Sequence, residues 1–180
     1  MIAALAARLP MLAAFAILGW IAIAAELAPV GGSAGALPAP DLLFCLSAAF
    51  AQRRPAATPA TLVFLLGLAR DSLSAGPFGL GALALTVSVE GARRAAAAAR
   101  HEGFLFDWGR AAAWAALGAA LLWLGLALSF APRPALFELA LRLAATIAAY
   151  PLARAALRLA APLPAPASAP SDQLRFGRRA

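Results

Sequence analysis

Apolar residues recur along this chain in long runs, broken by short polar or Pro/Gly-rich stretches, and six such runs stand out. A membrane-spanning helix needs about 20 mainly apolar residues, because each residue rises 1.5 Å and the hydrocarbon core is roughly 30 Å thick. The first run, Leu9 to Leu27 with Trp20 near its middle, meets that length. Arg8 precedes it, and Ile17 to Ala25 could pass for the apolar region of a signal peptide. Everything downstream is equally membrane-like, so the run reads as a retained first span. Pro29 to Pro40 then forms an uncharged loop rich in Gly, Ser and Pro.

The second run, Asp41 to Ala51, and the third, Pro59 to Leu73, are short for full spans. Two short, Pro/Gly-interrupted segments in succession predict partly unwound spans buried within a bundle. The second crosses fully if Ala34 to Pro40 adds partly extended chain and Arg53 and Arg54 snorkel. The fourth run, Phe78 to Ala92, leads into Arg93, Arg94 and the Ala95–Ala99 stretch, which continues the helix beyond the bilayer. The fifth, Ala111 to Phe130 with Trp114 and Trp123, is the clearest span, and Pro132 and Pro134 break it. The sixth runs from Ala135 to about Leu157. The predicted fold class is an all-α integral membrane domain of about six transmembrane helices over residues 1–160. A Pro/Ala/Ser/Arg-rich tail over 161–180 is expected to be disordered and cytoplasmic.

Composition strengthens the lipid reading. Hydrophobic residues make up 63% of the chain and charged residues 13%, against roughly 45–50% and about 25% in soluble domains. The mean hydropathy of +0.82 agrees. A net charge of +7 could suggest nucleic acid, but all 15 basic residues are arginines, as a high-GC coding sequence tends to give, and their placement is asymmetric. Twelve lie before the first run, after the second, after the fourth or at the C-terminal end, while Arg133 alone occupies the opposite side and Arg70 and Arg142 fall within runs. Under the positive-inside rule this bias predicts both termini in the cytoplasm, with membrane lipid rather than nucleic acid as the partner.

Candidate chemistry is sparse. Asp41 follows Pro40 at the head of the second run, where its carboxylate can cap a helix N-terminus. Arg70 and Asp71 lie late in the third run. Neighbours in a helix do not face each other, so Asp71 is expected to reach another helix or to cap the turn at Gly76-Pro77. Glu90 with Arg94, and Glu138 with Arg142, have the i,i+4 spacing of helical ion pairs. Cys45, the only cysteine, sits in an apolar run and reads as a small buried hydrophobe. His101 lies in a charged loop and reads as solvated. No HExxH, GxSxG, Walker A or CxxC motif occurs, so no catalytic, metal or cofactor site is expected. Gly79-Leu80-Gly81 lacks a strand–loop–helix setting and reads as a helix start that allows close packing, as do Gly118, Ala119 and Gly125 further on.

Several of these segments, taken in order, resemble the MreD family of rod-shape proteins. They are Pro40-Asp41-Leu42-Leu43, Arg53-Arg54-Pro55, Gly67-Leu68-Ala69-Arg70-Asp71-Ser72-Leu73, Gly76-Pro77-Phe78-Gly79-Leu80, Glu90-Gly91-Ala92-Arg93-Arg94 and the late Ala149-Tyr150-Pro151. Arg70 beside the family-type aspartate is a departure. The resemblance implies a non-enzymatic subunit of the bacterial inner membrane that binds MreC. Through MreC it would meet MreB and the peptidoglycan synthases of the cell-elongation complex. It also implies a fold resembling the substrate-binding S-components of energy-coupling-factor transporters, with Pro40, Asp41, Arg70, Asp71, Pro77, Gly79 and Glu90 as partner-binding or structural positions. Helix number and length fit equally well a substrate-binding membrane subunit of a vitamin-type transporter. That reading requires polar groups converging in an outward pocket, and the outer loops hold few.

Overall fold

The computed structural model describes residues 2–28, 39–53, 58–74, 77–98 and 103–160, with side chains from Leu9 to Leu159. Among the described residues the chain forms six helices: α1 (Ile2–Leu27), α2 (Leu42–Arg53), α3 (Ala60–Leu73), α4 (Leu80–Ala98), α5 (Phe104–Leu128) and α6 (Leu136–Ala160). Three segments are long and apolar enough to cross a membrane: Leu9–Leu27 of α1, α5 and Leu136–Leu159 of α6. This is an all-α membrane protein.

The shortest helix occupies the centre. α2 has 12 residues, eight of which, Leu43, Phe44, Cys45 and Ser47 to Ala51, are buried. It packs against α1, α4, α5 and α6. Its Cys45, Ser47, Ala48, Ala49 and Ala51 are small enough for neighbours to approach from several sides, which is how helices associate where lipid removes the hydrophobic advantage of large side chains. Phe15 of α1 packs at a tilt against Phe50 of α2, with ring centroids 5.2 Å apart and ring planes at 59°. By contrast, α5 buries only Ala111, Ala115 and Leu126 and exposes large apolar side chains such as Leu105, Phe106, Leu124 and Leu128.

Glycines set the tightest contacts. A Cβ on Gly67 of α3 would come within 2.7 Å of the Ala82 backbone of α4. One on Gly91 would collide with the Trp114 ring, one on Gly118 with Ser88, and one on Gly125 with Leu80. The expected close packing at Gly118 and Gly125 is therefore present, between α4 and α5.

Several expectations change. α2 and α3 are short but continuous helices, so the predicted unwinding is absent from their described residues. An uninterrupted helix meets every internal backbone bond, which makes a break unnecessary where neighbours supply the caps. α5 begins at Phe104, seven residues ahead of the expected Ala111, and carries Asp107, Trp108 and Arg110 on its first turns. No ion pair joins Glu138 to Arg142 among the described residues; both side chains are exposed, where such a pair contributes little. His101, Arg54, most of the Pro29–Pro40 loop and the 161–180 tail lie outside the described residues.

Candidate functional site

Two helices, α2 and α4, start at the same end of the bundle where α1 and α3 finish, and each new N-terminus presents N–H groups with no partner in its own helix. Carboxylates fill both. Asp41, the N-cap of α2, accepts the Phe44 N–H at 2.8 Å, the cap geometry expected of it. Glu26, on the last turn of α1, accepts the neighbouring Leu43 N–H at 2.7 Å.

The start of α4 has no polar side chain of its own, since it reads Phe78-Gly79-Leu80. Asp71 supplies the cap from α3. Its Oδ2 accepts the N–H of Gly79 at 3.1 Å and of Ala82 at 2.8 Å. One carboxylate thus satisfies both donors that a capping box would divide between two residues. The arrangement requires two backbone allowances. Gly79 adopts φ +87°, a region that side chains disfavour. A Cβ at Gly81 would strike the Asp71 carboxylate itself.

Arg70 stands between the two capped ends. Its Nη1 donates to both Asp41 carboxylate oxygens, at 3.1 and 3.0 Å. Glu26 Oε2 lies 3.9 Å from the same nitrogen, and Asp71 Oδ1 lies 4.0 Å from Nε. Arg70 and Asp71 are adjacent in sequence and so meet only at the edge of their charges, while the close pairing goes to Asp41 on another helix. Three carboxylates and one guanidinium therefore join α1, α2, α3 and α4. The Arg70, Glu26 and Asp71 side chains are each less than 15% exposed. Such burial costs several kcal/mol per ion unless hydrogen bonds replace water, and here the helix termini supply them.

The cluster is recessed. The Asp41 N–H donates to Thr146 Oγ1 at 3.0 Å, and that hydroxyl donates on to the Arg142 carbonyl at 2.8 Å. Thr146 is ten residues into α6, so Asp41 lies about 15 Å below the start of that helix.

A second polar set fastens the other end. Pro151 within α6 has no N–H, which frees the carbonyl of Ile147 four residues earlier. Trp108 Nε1 donates to that carbonyl at 2.9 Å. Tyr150 donates to Gln52 Oε1 at 2.8 Å, Gln52 donates to the Asp107 carbonyl, and Arg154 pairs with the Asp107 carboxylate at 2.9 Å. Cys45 is buried, as expected, and its Sγ donates to the Thr146 carbonyl.

Of the positions singled out in the sequence, the structure brings together Asp41, Arg70, Asp71 and Gly79. Pro40 directly precedes the Asp41 cap, and Pro77 lies exposed on the turn that Asp71 holds. Glu90 stands apart. It is 11 residues down α4 from Gly79, or about 16 Å, and it pairs with Arg93 at 2.6 Å and with Arg94 at 2.7 Å. Glu26 was missed by sequence reasoning. The signal was available: it is the one acidic residue within the first apolar run, and an ionisable group inside a span is a functional or structural candidate by default. Among the described residues, no three His, Cys, Asp or Glu side chains converge closely enough to hold a metal ion. Comparison with protein-family models, curated proteins and solved structures gave no match.

Proposed function

We propose that this protein is a non-enzymatic membrane subunit of the MreD type, which binds MreC and so supports cell elongation and peptidoglycan synthesis. The observation that carries this reading is the use to which its charged residues are put. Asp41, Arg70 and Asp71, which lie in the segments that resemble MreD, are consumed in holding four helix ends together, and none is left presenting a reactive group to a cleft. What the cluster leaves on the surface is exposed Pro77 and Phe78, next to the Gly79 N–H that Asp71 caps. In this reading their turn shapes the surface on which MreC docks, and MreB and the elongation synthases are reached through it. The S-component-like arrangement of six spans belongs to the same proposal. So does the topology, in which the arginine-rich end, with Arg53, Arg93, Arg94, Arg110, Arg154 and Arg158, faces the cytoplasm of a bacterial inner membrane.

The runner-up, a substrate-binding transporter subunit, calls for a ligand cavity of about 300–1,000 Å³. Among the described residues, the crevice between α2, α5 and α6, lined by Phe44, Trp108 and Tyr150, has no room for a water-sized molecule. A groove of about 180 Å³ lies between α5 and α6 at the arginine-rich end, below that range.

Purification of the tagged protein from its native membrane in mild detergent, with partners identified by mass spectrometry, tests the proposal. Recovery of MreC with the elongation synthases is the expected result. Recovery of a transporter ATPase module without MreC overturns it. Asp71→Ala, which frees the Gly79 turn, is expected to lower MreC recovery while leaving membrane insertion intact.

A further inference from the structure

The groove between the start of α5 and the end of α6 has no part in the helix-end cluster. It is lined by Phe104, Pro151, Arg154, Ala155 and Arg158 and encloses about 180 Å³. Arg154 and Arg158 are four residues apart on α6 and so share a face. The Arg154 guanidinium lies 5.1 Å over the Phe104 ring, and its Nη1 bonds Asp107. An arginine carries five N–H donors, and its Nε is buried without a hydrogen-bond partner. Arg158 makes no ion pair among the described residues. Asp107 thus pairs with Arg154, and Arg158, on the same groove, leaves the lining with a surplus positive charge.

We propose that this groove binds the phosphodiester headgroup of an anionic phospholipid. The surplus charge and the forked donors suit a phosphate, for which arginine is the residue with matching geometry. The setting suits a lipid rather than a soluble ion. The groove opens between two helices long and apolar enough to cross a membrane. Leu105, Leu152 and Leu159, each next in sequence to a lining residue, are exposed and offer apolar surface for acyl chains. Basic grooves between transmembrane helices on the cytoplasmic side hold anionic headgroups in this way. The proposal rests on the protein being embedded in a membrane with its arginine-rich end cytoplasmic, not on its binding MreC.

The test is native mass spectrometry of the full-length protein in detergent with added phosphatidylglycerol or phosphatidylcholine, alongside inorganic phosphate alone. Phosphatidylglycerol is expected to remain bound with clear preference over phosphatidylcholine. Loss of one charge-assisted contact is expected to weaken that binding about tenfold in Arg158→Gln. Arg158 is exposed and makes no ion pair among the described residues, so this variant is expected to fold normally. Arg154→Lys, which keeps the charge opposite Asp107 but loses the fork, is expected to fall between the two. Arg133→Gln, at the opposite end of the bundle, is expected to bind as the unaltered protein does. Equal retention of the two lipids, or full binding by Arg158→Gln, overturns the assignment. Binding of inorganic phosphate without lipid preference overturns it as well, in favour of a soluble anion.

Discussion

At the scale of single residues, Arg70 is the buried charge on which the ionic cluster turns. It is the cation that pairs with Asp41 and lies within 4.0 Å of Glu26 and Asp71, and its removal takes the nearest positive charge from three carboxylates in a recessed site. Arg70→Met is expected to destabilise the protein by about 3–5 kcal/mol, the cost of stranding buried charge. Glu26→Gln is expected to cost much less, because an amide oxygen can still accept the Leu43 N–H. Thermal unfolding in detergent, followed by tryptophan fluorescence, ranks the two; equal midpoints would show that Arg70 does not hold the cluster together. A second residue-scale test concerns Trp108, whose indole N–H answers a carbonyl that Pro151 leaves open. Trp108→Phe is expected to cost about 1–3 kcal/mol for the orphaned acceptor. In a Pro151→Ala background the cost should shrink, since residue 151 then supplies its own N–H to Ile147. A double-mutant cycle without coupling would show that the two features are unrelated.

At the scale of elements, the helices are placed by small residues more than by large ones. Gly67 lets α3 reach the backbone of α4 at Ala82, where an added methyl has nowhere to go. Gly67→Ala is expected to destabilise by about 1–3 kcal/mol through overpacking. Gly109, on α5, has nothing within 4 Å of its would-be Cβ. Gly109→Ala is therefore expected to be neutral or to stabilise by about 0.5–1 kcal/mol through helix propensity. The same unfolding measurement on both variants checks the contrast, and a comparable loss in each would mean that close approach at Gly67 is not what holds α3 to α4. The apolar runs and their breaks were legible at this scale for all six helices. The boundaries of α5 were not, because Asp107 and Arg110 on its first turns look like loop residues until Arg154 and the Ala95 carbonyl are seen to meet them.

At the scale of the whole molecule, the helix ends sort into two kinds. One end is acid-rich and cross-braced, and the other is rich in arginine. Accessibility of single cysteines measures which faces the cytoplasm. On a Cys45→Ser background, which keeps a donor toward Thr146, Ser74→Cys beside the braced turn is expected to react with an impermeant thiol reagent added outside intact cells. Ala97→Cys at the end of α4 is expected to react only after permeabilisation. Both positions are exposed, so burial does not confuse the result. Labelling with the opposite preference would invert the topology and place the proposed docking turn in the cytoplasm.

The sequence by itself determined that the chain is helical and lives in lipid, because the length of an apolar run and the exclusion of charge from it are local properties. It also determined Asp41 as a cap and Cys45 as buried, since each role depends on nearest neighbours. It left open what Arg70 pairs with and what closes the start of α4. Those answers depend on which helix ends share a level in the folded bundle. Only the tertiary structure, by setting α2 deep beside Thr146 and bringing Glu26 over its first turn, decided that four separate segments form one ionic cluster.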